Sequence, residues 1–159
     1  MEKMEGTAQA IGKLVIEFAA LEEVLHDSIR MVVMSVALSD DSDTTGEIAD
    51  VMSAGLGFRV LVEKLGALLT QFEYLHHTPK ADVIAFCNLL NAINDERNAI
   101  VHSAWVYVAD EQRVERYKRS AKPKSGFEAG TVRVTTDEVL AVAERCRTAR
   151  ERVWAIAAW

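Results

Sequence analysis

Residues 91–105 read NAINDERNAIVHSAW, and the character of the whole chain follows from how this stretch is placed. Ile93 and Ile100 continue an apolar stripe that begins with Val83, Phe86 and Leu90, at the three- and four-residue spacings of one helix face. Arg97 falls within about 20° of that stripe on a helical projection, so it points inward, where a guanidinium needs a partner. Asn94, Asn98 and His102 recur every fourth residue along the neighbouring flank, with Asn91 beside them. Asparagine amides compete with backbone hydrogen bonds and are unfavourable in helix interiors, so a ridge of them asks for a reason. One reason is that Asn98 and His102 cap the carbonyls at the helix end. The other is that the ridge borders a groove for a phosphodiester.

Upstream, residues 8–38 form a predicted first helix, with Ile11, Leu14, Phe18, Leu21, Leu25, Ile29 and Val32 as its stripe. Glu22 lies inside that stripe, and an ion pair with Arg97 would satisfy two costly charges; Arg59 is the competing partner for Glu22. Residues 39–46, rich in Ser, Asp and Thr, read as a loop. A second helix is expected over 48–76, clearest after Gly57. Thr78 followed by Pro79 predicts the start of the third, with threonine as cap and proline at the first helical position.

After His102 the period changes. Residues 105–108, 113–119 and 131–135 suit short extended strands, and 122–130 reads as a flexible basic loop. Thr135 and Glu138 have capping-box spacing, ahead of a last helix with Val139, Val142, Cys146, Val153 and Ala157 on one side. The expected fold is therefore mainly all-α: one domain over 1–159, a four-helix bundle with a small β-hairpin or short-strand excursion between helices 3 and 4.

Half of the residues are apolar, as in a soluble globular protein, and no run approaches the ~18 needed to span a bilayer. With no apolar run behind the charges of MEKMEGTAQA, a cytoplasmic location away from any membrane is expected. Cys87 and Cys146 lack metal-site spacing and read as core fillers. The net charge of −6 argues against a surface that grips nucleic acid everywhere. Locally, RVERYKRSAKPK over 113–124 sets six basic residues against one acid, which makes Arg113, Arg116, Lys118 and Arg119 candidate RNA contacts.

Arg97 and Asn98, three residues, then His102 resemble the signature of the HEPN family (higher eukaryotes and prokaryotes nucleotide-binding domains), many of whose members are RNA-cleaving toxins and defence proteins. The specific part of the resemblance covers residues 95–105. It implies a metal-independent endoribonuclease without cofactor, a toxin or phage-defence effector, with Arg97, Asn98 and His102 catalytic and Glu22 and Asn94 supporting them. The residue types suit such a reaction, since a neutral imidazole accepts a ribose 2′-hydroxyl proton and a forked guanidinium neutralises phosphoryl charge. One chain offers one such set and the leaving oxygen needs an acid, so a symmetric homodimer is expected; RNA and a protein antitoxin are the further expected partners. The alternatives are a non-catalytic HEPN-like dimer that binds RNA, a nucleotide or a protein, and an interaction protein in which Arg97 and His102 only stabilise the helix.

A metal-binding role is not expected. Glu23 with His26 and Glu73 with His76 have the Glu-x-x-His spacing of di-iron bundles. With the first two helices antiparallel, however, Glu23 lies level with Glu63, about 15 Å from Glu73. The acidic loop before Met52 lacks the glutamate that a calcium loop requires.

Overall fold

A computed structural model describes residues 2–37, 42–73, 78–108, 113–122 and 126–157. The chain is mostly helical, with one small antiparallel sheet. Helix α1 (Glu2–Val36) buries Leu14, Phe18, Leu21, Leu25, Ile29 and Val32 along the expected stripe. The expected loop before the second helix is shorter than its composition suggests, because α2 (Ser42–Ser53) already uses the Ser, Asp and Thr residues as its first turn. Such residues suit a helix start as well as a loop, which is why composition alone misplaces the boundary.

The single second helix expected over 48–76 is two helices. Gly55 adopts φ +72°, a left-handed conformation that glycine takes without strain, and the chain leaves α2 there. Gly57 then caps α3 (Phe58–Gln71), which buries Phe58, Leu61, Val62, Leu65 and Leu69. The rest of the expected span, 74–77, lies outside the described residues. The described residues therefore form five helices: α1 to α3, then α4 (Lys80–Val101) and α5 (Thr136–Ala157). Pro79 itself occupies the cap position of α4, one residue later than expected, with the extended ψ of 141° that a cap adopts.

Contacts between helices set their directions. Phe18 and Phe58 meet with ring centroids 4.6 Å apart, while Ile29 and Val33 share a hollow with Leu68 and Phe72. So α3 runs parallel to α1, and the expected antiparallel pair is not formed, because α2 intervenes as a return crossover. Arg59 pairs with Asp95 at 2.5 Å and Cys87 abuts Gly66, so α4 runs the opposite way. Thr7 meets Thr136 at 3.2 Å and Glu17 meets Arg150 at 3.3 Å, which makes α5 parallel to α1. These four long helices share one hydrophobic core, including Val83, Phe86, Leu90, Ile93 and Ile100 of α4.

The excursion after α4 is a three-stranded meander, β1 (Ala104–Val108), β2 (Arg113–Lys122) and β3 (Gly126–Arg133), in the order β1-β2-β3. Lys122 pairs with Gly126 and Arg119 with Ala129, so most of the expected basic loop is strand. Backbone pairing across the hairpin outweighs the weak strand preference of Lys, Gly and Ala. At the start of α5 the capping box forms as expected: the Thr135 amide donates to Glu138 Oε2 at 2.6 Å and the Glu138 amide to Thr135 Oγ1 at 3.2 Å.

Cys146 is fully buried, and desolvation pushes its thiol up to about 11; Cys87 is half-buried and shifted the same way. Both are free thiols. No helix among the described residues is long and apolar enough to cross a membrane.

Candidate functional site

The end of α4 is closed without using the side chains of Asn98 or His102. The His102 backbone amide donates to Asn98 O at 3.1 Å, Ser103 Oγ to Ala99 O at 2.6 Å, and the Trp105 indole to Ile100 O at 3.1 Å. The carbonyls that would otherwise attract an imidazole or an amide are thus already occupied. The polar ridge instead links sideways. Asn98 Nδ2 donates to the buried Asn94 Oδ1 at 3.2 Å, and Arg97 Nη1 donates to Asn98 Oδ1 at 2.9 Å. The same Nη1 lies 3.5 Å from His102 Nε2. Arginine can only donate, so a hydrogen bond here requires a lone pair on Nε2 and places the proton of a neutral ring on Nδ1. The structure therefore brings together Asn94, Arg97, Asn98 and His102.

Glu22 is not part of this group. Arg97 and Glu22 form no ion pair; the guanidinium lies over the Phe18 ring, 4.8 Å from its centroid and one turn earlier on α1 than Glu22. Nor does Arg59 bond Glu22, since it is engaged with Asp95. Phe18 is thus a support that pattern reading assigned only to the core. Its signal was its position in the same stripe, one turn before the acid that drew attention.

His102 is exposed and opens into a cleft of about 520 Å³, lined also by Asn98, Ser103, Ala104, Arg116 and Tyr117. Strand register builds the facing wall: Ala104 pairs with Tyr117 and Trp105 with Arg116, so β2 folds back over the end of α4. Of the four candidate basic contacts, Arg116 reaches the cleft, and its Nε is buried with no hydrogen-bond partner among the described residues. Arg113 does not: its Nε donates to Glu115 at 2.7 Å, and it lines a separate hollow with Thr7 and Thr136. The side chains of Lys118 and Arg119 lie outside the described residues. Tyr117, unassigned by sequence, joins the cleft beside Ala104, its pairing partner on β1.

Glu115, beside Arg116 on β2, is buried. A hydrogen bond from Thr131 and the Arg113 guanidinium hold its carboxyl below the usual range, so it is charged and matched at neutral pH. Among the described residues no group of three or more His, Cys, Asp or Glu is arranged to hold a metal ion; His76 lies outside them. What the arrangement offers chemically is one guanidinium that touches both an imidazole and an amide, with a second arginine lining the open cleft beside the imidazole. Comparison with protein-family models, curated proteins and solved structures finds no match to this chain.

Proposed function

We propose that the chain is a HEPN-like, metal-independent endoribonuclease that works as a homodimer. The observation that carries this reading is the approach of Arg97 Nη1 to His102 Nε2, 3.5 Å, where His102 itself lines a cleft that Arg116 also lines. Because other groups cap α4, these side chains remain available to a ligand.

In the proposed reaction the phosphate draws Arg97 Nη1 off His102 Nε2, and the freed lone pair takes the proton of a ribose 2′-hydroxyl as that oxygen bonds to phosphorus. Arg97 balances the charge that builds on the phosphoryl oxygens, and Asn98, bonded to both Asn94 and Arg97, keeps the guanidinium aimed. The P–O5′ bond breaks, and the departing oxygen takes a proton from the imidazolium of the second copy, leaving a 2′,3′-cyclic phosphate and a 5′-hydroxyl.

The test is cleavage of a mixed RNA pool in chelator, with end-group analysis of the products. Wild type yields cyclic phosphate ends, while Arg97→Ala and His102→Ala lose at least about a hundredfold in rate and stay folded and dimeric. Expression of the wild type, and not of His102→Ala, is toxic to the host. Equal harmlessness together with intact RNA would end the nuclease reading; salt-sensitive binding without cutting would replace it with the non-catalytic one.

A further inference from the structure

Arg116 borders more than the cleft at His102. Ala99 and Arg116 also line a second hollow of about 480 Å³, which runs between α4, α5 and β3. Ile100, Val132, Val134 and Val142 give it apolar walls, and Arg133 and Arg145 stand along it. Its two acids are already engaged. Glu96 is ion-paired with Arg145, and Glu138 is held by the Thr135 cap, which keeps its carboxyl below the usual range. Arg116, at the junction, is the member whose buried Nε has no hydrogen-bond partner among the described residues. Apolar wall alternating with guanidinium is what a nucleotide chain requires, since bases and riboses desolvate against the first and phosphates bond the second.

We infer that a single strand of RNA bound at His102 continues over Arg116 into this second hollow, with its flanking phosphates held by Arg116 and Arg133. The substrate class is accordingly an extended, unpaired polynucleotide, and a dinucleotide leaves half of the track empty. A duplex, whose bases are stacked inward, cannot present them to the valine wall. The catalytic part of the inference rests on the nuclease reading; the binding part does not.

Two arms separate the possibilities. In the first, anisotropy of a labelled, 2′-O-methylated octanucleotide, which cannot be cut, is titrated with protein over a series of salt concentrations. Arg133→Ala, an exposed substitution, weakens binding about tenfold and lowers the slope of log K against log salt by about 0.7, the value for one phosphate contact on a single strand. Arg116→Lys weakens binding less than Arg116→Ala, and Lys13→Ala, on the exposed surface of α1, changes neither quantity. In the second arm kcat/KM is compared for an octanucleotide and a dinucleotide. Wild type prefers the longer strand by about a hundredfold, and Arg133→Ala shrinks that preference about tenfold.

If nothing is cut yet Arg133→Ala still loses octanucleotide binding, the track stands and the nuclease reading falls. If both lengths are cut equally and Arg133→Ala binds the octanucleotide like wild type, the track is overturned and the nuclease reading stands. Failure of the wild type to bind the octanucleotide also overturns the track.

Discussion

Replacing Arg97 with methionine separates a functional guanidinium from a structural one, because the opposing stability terms nearly cancel. The substitution removes the charge that lies 4.8 Å from the centre of the Phe18 ring, an interaction of about 0.5–1 kcal/mol at a partly exposed site. It also removes the charged donor to Asn98 Oδ1, about 1.5 kcal/mol at this partly exposed site. Against these losses, the buried Nε of Arg97 has no hydrogen-bond partner among the described residues, and its removal relieves about 1–3 kcal/mol of desolvation cost. Methionine retains an unbranched apolar stem over Phe18, so no cavity opens. The net change is within about 1.5 kcal/mol of zero, a shift of about 3–6 °C or less in Tm for a chain of this size. Rate should behave differently, since losing a charged donor at the phosphoryl group costs about 10²–10³-fold. Thermal unfolding followed by circular dichroism, alongside RNA cleavage by the same preparation, reads both quantities. A melting point lowered by about 10 °C, or cleavage at the wild-type rate, would refute the reasoning: the first would make Arg97 a structural strut, the second a bystander.

Glu22→Gln should leave Tm within about 2 °C, because no ion pair with Arg97 is lost; a large drop would restore the carboxylate to the site. A Cβ on Gly66 would sit 2.7 Å from Cys87 Sγ, so Gly66→Ala should cost about 1–3 kcal/mol in denaturant unfolding. Adding Cys87→Ala should recover most of that loss, and additive effects in the double variant would contradict the contact. Thr135→Ala removes the acceptor for the Glu138 amide and should cost about 1 kcal/mol, read as a lower urea midpoint. Folding lowers the Glu115 carboxyl below its ordinary value of 4.5, so its contribution is complete above that value and is lost as pH falls through the depressed one. Tm should therefore fall more steeply on acidification in wild type than in Glu115→Gln, and parallel Tm–pH curves would show the Thr131 and Arg113 contacts to be without effect.

The four long helices were legible because each writes an apolar stripe at helical spacing, and burial follows those stripes in α1 and α4, with Ile11 at the start of α1 only partly covered. Their directions were not. A loop between two helices suggests an antiparallel hairpin, and only the break at Gly55, one residue with positive φ inside an otherwise helical pattern, converts the second helix into a crossover followed by a parallel α3. A lone glycine in a helical pattern is common enough that periodicity overrides it. The hairpin of β2 and β3 was hidden for the opposite reason. Lys, Ser, Ala and Gly carry little strand preference, and the pairing of Lys122 with Gly126 is a property of two backbones.

The site was legible where it breaks the local rules, since an arginine and a row of asparagines on or beside a buried helix face have no ordinary place there. The error lay in what should answer the charge. A buried pair of Arg97 and Glu22 would have to strip water from two ions at several kcal/mol each, whereas resting the guanidinium on Phe18 desolvates one ion and leaves its donors directed along the ridge. The difference bears on chemistry as well as stability. A carboxylate bonded to Arg97 would cancel the field that a phosphate seeks, while an aromatic face supports the cation and leaves its charge intact. The same logic applies across the cleft, where Glu115 is held by Thr131 and Arg113 and so does not claim Arg116. Both arginines that flank His102 thus keep a cation's charge with no carboxylate bonded to it among the described residues, in a chain whose overall charge is −6. Net charge describes the average surface; a site for an anion depends on where the acids are already engaged.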